Sequence, residues 1–211
     1  MWIEGGAKKL LIKYNLSILS AYTLVMLGVL VAFWDSFSLV QRFAIGFLGL
    51  ITLHEWEETR FPGGFWEVMS GMLKIDISKV PDGALHLPPA IFIFVITLLP
   101  LLFPGVAWLF LAVMYLGIFE GIVHAAGIKL TRRKKPYTPG MITAEMMLVY
   151  SIVGIVFAVS AGLVAPLDWL LALVFFLGGF LLMEVGVYRV LNLKLADGVK
   201  AMKANLRSLR G

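Results

Sequence analysis

The chain contains no cysteine, so disulfides, thiolate metal ligands and a cysteine nucleophile are all excluded, and a metal would have to be held by His, Asp or Glu. Charge is scarce too: Asp, Glu, Lys and Arg make up 15% of the residues, against roughly 25% in soluble domains. Serine and threonine are scattered without the spacing of a nucleophile motif, and no phosphate-cradling glycine loop occurs. What fills the chain instead is apolar. Of its 211 residues 60% are hydrophobic, and the mean hydropathy is +0.92. These values describe an integral membrane protein, and the length suits one domain of about six spans at about 20 residues each.

Apolar runs at 14–34, 39–56, 90–103, 106–127, 139–163 and 169–190 predict six transmembrane helices in an all-α polytopic bundle occupying residues 1–190. The first run is longer than the roughly 7–15-residue core of a signal peptide and no small-x-small cleavage site follows, so it is read as a retained span. Residues 191–211 alternate Leu, Val and Met with Lys194, Lys200, Lys203, Arg207 and Arg210, which predicts a cytoplasmic basic amphipathic helix on anionic lipid head groups. Between the second and third spans, Phe61-Pro62-Gly63-Gly64 cannot continue a helix. Residues 65–73 then read as a short interfacial or re-entrant helix, either a lid or a connector. Thr138 suits an N-cap with Pro139 at the first helical position, opening the fifth span.

With the N-terminus inside, every Lys and Arg except Arg42 faces the cytoplasm, and both termini lie there. Arg42 is read as snorkelling to the outer interface, and Arg132-Arg133-Lys134-Lys135 as a topology signal. The net charge of +5 therefore marks a membrane side, with no nucleic-acid partner implied.

Against this background the stretch His54-Glu55-Trp56-Glu57-Glu58 stands out, because an ionised side chain at bilayer depth costs roughly 2.5–3.5 kcal/mol and is by default a sign of function. At helical spacing His54, Glu57 and Glu58 share a face, while Glu55 points elsewhere. Glu120 and His124 share a face of the fourth span at i and i+4. The topology puts these residues, with Glu145 on the fifth span and Glu184 on the sixth, at one depth in the cytoplasmic third; His86 lies in the inner loop. His54, Glu57, Glu58, Glu120 and His124 are thus candidate ligands for one or two ions of zinc, iron or manganese. Glu145 and Glu184 are candidate catalytic or supporting carboxylates. The rival reading has hydrogen-bonded glutamates holding helices together, with both histidines as packing residues.

The pattern met by His54, Glu57 and Glu58, followed by Phe61-Pro62-Gly63-Gly64-Phe65, resembles the HXXEE-motif family of small membrane proteins. The likeness extends to Glu120-Gly121-Ile122-Val123-His124 and to the stretch from Tyr137 to Ala144, and leaves the first span and the basic tail unmatched. It implies a multi-span domain of unassigned function and supplies no reaction. The expected function is a metal-dependent membrane hydrolase or oxidoreductase acting on a lipid or membrane-soluble small molecule. The alternatives are a proton or divalent-cation transporter or channel, and a structural or partner-binding membrane protein docking through its basic tail.

Overall fold

The computed structural model describes residues 5–131 and 136–208. The basic run Arg132 to Lys135 and Arg210 lie outside the described residues. Among those described there are eight α-helices and no strand: α1 (Gly6–Ala32), α2 (Leu39–Thr59), α3 (Phe65–Leu73), α4 (Leu87–Leu102), α5 (Ala107–Leu130), α6 (Met141–Ser160), α7 (Pro166–Val190) and α8 (Leu195–Ser208). Four of them, α1 from Lys9, α5, α6 and α7, are long and apolar enough to cross a membrane; α4 is apolar but shorter. The fold is therefore a helical bundle of membrane character.

Local chemistry explains where the helices begin and end. Ser38 and Gln41 close a reciprocal capping box at the start of α2, satisfying amides that the first turn leaves orphaned. Arg42, one residue on, donates to the Phe37 carbonyl at 2.9 Å and stacks its guanidinium 4.5 Å from the Trp34 ring centroid, a cation–π contact at the helix's N-terminal end. At the other end Gly63 and Gly64 take positive φ, which stops α2 directly after its acidic cluster.

Helices α2, α5 and α6 form the centre. Phe47, Leu48 and Ile51 of α2 pack with Phe110, Leu111 and Met114 of α5 and with Ala144 and Met147 of α6, all at most 2% exposed. The tight pairing of α5 with α6 depends on Gly117 and Gly121. A Cβ on Gly117 would stand 2.9 Å from the Met147 carbonyl oxygen of α6, and one on Gly121 would stand 2.7 Å from Leu148. This Gly-x-x-x-Gly pair is the small-residue device by which apolar helices approach closely, and it stands on either side of Glu120. α1 joins by a buried hydrogen bond between Thr23 and Thr52, 2.7 Å long. The amphipathic α8 is docked on the bundle: it packs on α3 and α7, and Asn205 donates to the Leu130 carbonyl at the end of α5 at 3.0 Å.

Candidate metal centre

Helical periodicity aims His54 and Glu58 of α2 at Glu120 and His124 of α5. The Nε2 of His54 lies 3.5 Å from Glu58 Oε1 and 3.8 Å from Glu120 Oε2; the Nε2 of His124 lies 3.2 and 3.7 Å from the same two oxygens. The two imidazoles meet edge to face, their centroids 5.0 Å apart. Both histidines are at most 3% exposed. His54, Glu120 and His124 each offer a donor atom within 4.8 Å of the others, so this group is able to hold a metal ion.

The remaining ring nitrogens are committed. His54 Nδ1 stands 3.0 Å from the Gly140 carbonyl, which can only accept, so Nδ1 carries a proton and Nε2 is the nitrogen turned to the carboxylates. Thr143 Oγ1 lies 3.1 Å from the same nitrogen and gives its own proton to Glu57 at 2.6 Å. His124 Nδ1 stands 3.1 Å from Thr138 Oγ1, whose proton points to the His124 carbonyl 3.4 Å away. Both imidazoles thus turn Nε2 to the carboxylates and bond Nδ1 to backbone or hydroxyl oxygen, the orientation in which metal-ligating histidines are held.

The spacing of the four donors is compatible with a shared ion. Hydrogen bonds between an imidazolium and a carboxylate are about 2.7–2.9 Å long. Donors about 2.0–2.2 Å from a tetrahedral ion stand about 3.3–3.6 Å from one another. The observed 3.2–3.8 Å brackets the second range.

Glu57 is not brought into this group. Its carboxylate accepts the amides of Ile142 at 3.1 Å and Thr143 at 2.9 Å, the Thr143 hydroxyl, and the Tyr137 hydroxyl at 2.9 Å. It therefore caps α6 from across the bundle, where orphan amides and the helix dipole favour an anion. This changes the expected start of α6. Gly140, at φ 90°, occupies the N-cap position and the helix opens at Met141, while Thr138 turns its hydroxyl to His124. Gly140 is also where the site is tightest: a Cβ there would stand 2.7 Å from Glu58, His54 and His124 alike.

Glu184 on α7 is half-buried and close enough to Glu120 for the two carboxylates to interact. Glu145, half-buried in the second turn of α6, makes no ion pair or hydrogen bond with the cluster among the described residues. Glu55, off the face shared by His54 and Glu58, is 6% exposed and lies 3.9 Å from His86 Nδ1, to which Thr59 Oγ1 comes within 3.2 Å. Burial lowers the His86 pKa, against the pull of the Glu58 and Asp82 carboxylates. A signal for this pair was present in the sequence as a third carboxylate in α2 and a lone loop histidine, but nothing in their spacing joins them.

α3 covers the cluster beside His124 and His86. Phe65 lies with its ring centroid 6.0 Å from that of His124, and Trp66 stands edge-on to His86 at 6.1 Å. Between α3 and the loop before α4 is a polar cavity of about 340 Å³, onto which Glu58, Glu67, Asp82 and His86 open. Glu58 thus faces the histidines on one side and this cavity on the other.

A family model described as a protein of unknown function with an HXXEE motif matches residues 45–154, more than half of the 211 residues. That segment contains His54, Glu58, Glu120, His124 and the Gly140 turn, and excludes Glu184 and α8. No curated protein and no solved structure matches the chain.

Proposed function

The chain belongs to the HXXEE-motif family of proteins of unknown function, and from that premise we propose that it is a metal-dependent membrane enzyme. In this reading His54, Glu58, Glu120 and His124 hold a divalent zinc, iron or manganese ion on the cytoplasmic side, and the substrate is a lipid or another membrane-soluble molecule. The observation that carries it is the convergence of two imidazole Nε2 atoms, each ring fixed by a bond at Nδ1, with two carboxylates 3.2–3.8 Å away. Bound zinc would supply a water with a pKa of about 7, and iron would supply oxygen chemistry. Glu184, beside Glu120, is the carboxylate best situated to orient a ligand or move a proton. The cavity beside Glu58 gives access from the polar side. Positive residues concentrated in the N-terminal stretch, the inner loops and α8 support the cytoplasmic orientation.

Metal analysis of the full chain purified without chelators tests the proposal. Wild type is expected to carry stoichiometric metal, with at least about a tenfold loss in His54→Ala and in His124→Ala. Metal-free wild type would overturn it. A transport role fits less well, because above the cluster the bundle is filled by Phe47, Phe110, Leu111 and Met114, which offer no polar path. Glu57-dependent or Glu120-dependent ion flux in liposomes would favour transport instead.

Glu57 and Glu58, adjacent in sequence, are expected to separate cleanly. Glu57→Gln loses a charged cap and should cost about 1–3 kcal/mol of stability while metal is retained. Glu58→Gln should lose metal. The comparison needs thermal unfolding and metal content for both variants, and equal metal loss in the two would make Glu57 a ligand.

A further inference from the structure

A second concavity, a groove of about 820 Å³, runs between α4 and α7 and ends at the loop before α4. It exists because the two helices cross at glycines. A Cβ on Gly179 would stand 2.8 Å from Phe92, and one on Gly186 would stand 3.1 Å from Pro88. Longer side chains therefore rise on either side of the contact line, among them Ile91 and Val95 of α4 and Leu182 and Met183 of α7. The groove is within the roughly 300–1,000 Å³ range of small-molecule sites, and its walls are apolar over most of their length.

Its inner end is different. Lys79 and Arg189, both exposed, line it together with Asn192 and Asp76. The Asp76 carboxylate accepts the Ser78 amide at 2.9 Å, so part of its charge is already engaged by its own loop. The end is left with an excess of positive charge at the depth where α7 finishes, above a wall of hydrocarbon. An apolar trough with two cations at one mouth is complementary to an acyl chain with an anionic head group.

We propose that this groove binds one anionic phospholipid, with an acyl chain along α4 and α7 and the phosphate between Lys79 and Arg189. The site is separate from the His54–His124 cluster, so lipid retention and metal content are independently measurable. Val80 and Pro81 line both this groove and the polar cavity beside Glu58, so the head group would lie across one partition from that cavity.

Native mass spectrometry of the full chain, exchanged into micelles holding equal phosphatidylglycerol and phosphatidylcholine, tests this. One retained phosphatidylglycerol per chain is expected, favoured at least tenfold over phosphatidylcholine. The preference should vanish in Lys79→Glu/Arg189→Glu. Leu182→Trp should abolish retention of either lipid, and because Leu182 is 75% exposed this change fills the groove without disturbing the core. Lys200→Glu/Lys203→Glu on α8 should leave retention unchanged. Equal retention of both lipids by wild type would overturn the proposal. So would retention insensitive to Leu182→Trp, or a preference lost through the α8 changes instead, which would assign the bound lipid to the basic tail.

Discussion

Gly140→Ala is expected to destabilise the protein by about 2–5 kcal/mol and to reduce its metal content at least tenfold, although it adds a single methyl group. Two costs combine. At φ 90° an L-residue is forced into the left-handed region, which costs roughly 1–2 kcal/mol. The new Cβ would also stand 2.7 Å from Glu58 Cγ, His54 Cε1 and His124 Cε1, so three candidate ligands would have to move at once, and overpacking of this kind costs about 1–3 kcal/mol. Nor can the turn retreat, because the Gly140 carbonyl holds His54 and the amides just beyond it are bound to Glu57. Gly64→Ala is the internal control: Gly64 has φ 91°, but its nearest neighbour to a new Cβ is 3.9 Å away. It should show the backbone penalty alone and keep its metal. Thermal unfolding and metal content of the two variants separate strain from steric displacement, and equal, small effects would show that the turn does not press on the site.

The double role of the Gly140 turn shows where sequence reasoning reaches and where it stops. Each of the six apolar runs coincides with a helix, because burying backbone in hydrocarbon requires internal hydrogen bonding and the composition signals burial. The boundaries follow other forces. α1 begins at Gly6, ahead of the run at 14, because its lysine-bearing first turns are helical without being apolar. The 65–73 segment emerges as α3, lying over His124. In the site, the i and i+4 pairs His54 with Glu58 and Glu120 with His124 are local and readable. Whether Glu57 or Glu58 faces α5 is not local: the two differ by about 100° on the helix, and the choice depends on α6 arriving beside Glu57. That arrival rests on contacts such as Gly121 against Leu148, which connect residues far apart in the chain. A Gly-x-x-x-Gly at 117 and 121 was the available sign of this approach. α8 meets the same limit. Its amphipathic pattern predicts a face that must be buried but not what buries it, and the structure packs it on α3 and α7.

Stripping the metal at neutral pH is expected to lower stability by several kcal/mol, about 4 kcal/mol for a site loaded at a thousand times its Kd. Glu58 and Glu120 approach the Nε2 atoms of the same two imidazoles, which offer lone pairs to an ion when the rings are neutral. Two anions and two neutral rings leave a buried charge that one divalent cation balances. Without it the carboxylates face one another across apolar walls, and an uncompensated buried charge costs several kcal/mol. The dependence on pH has a definite sign. Protons compete with the ion for the same ligand atoms, so the difference between loaded and stripped protein is largest near neutrality and disappears as the pH falls. If the cluster were instead a set of imidazolium–carboxylate pairs, chelation would change nothing. Thermal unfolding of chelator-treated and reloaded protein across this pH range decides between them. Coincident curves at neutral pH would sink the metal reading, and a gap that closes in acid and is missing in His54→Ala would assign the stabilisation to this cluster.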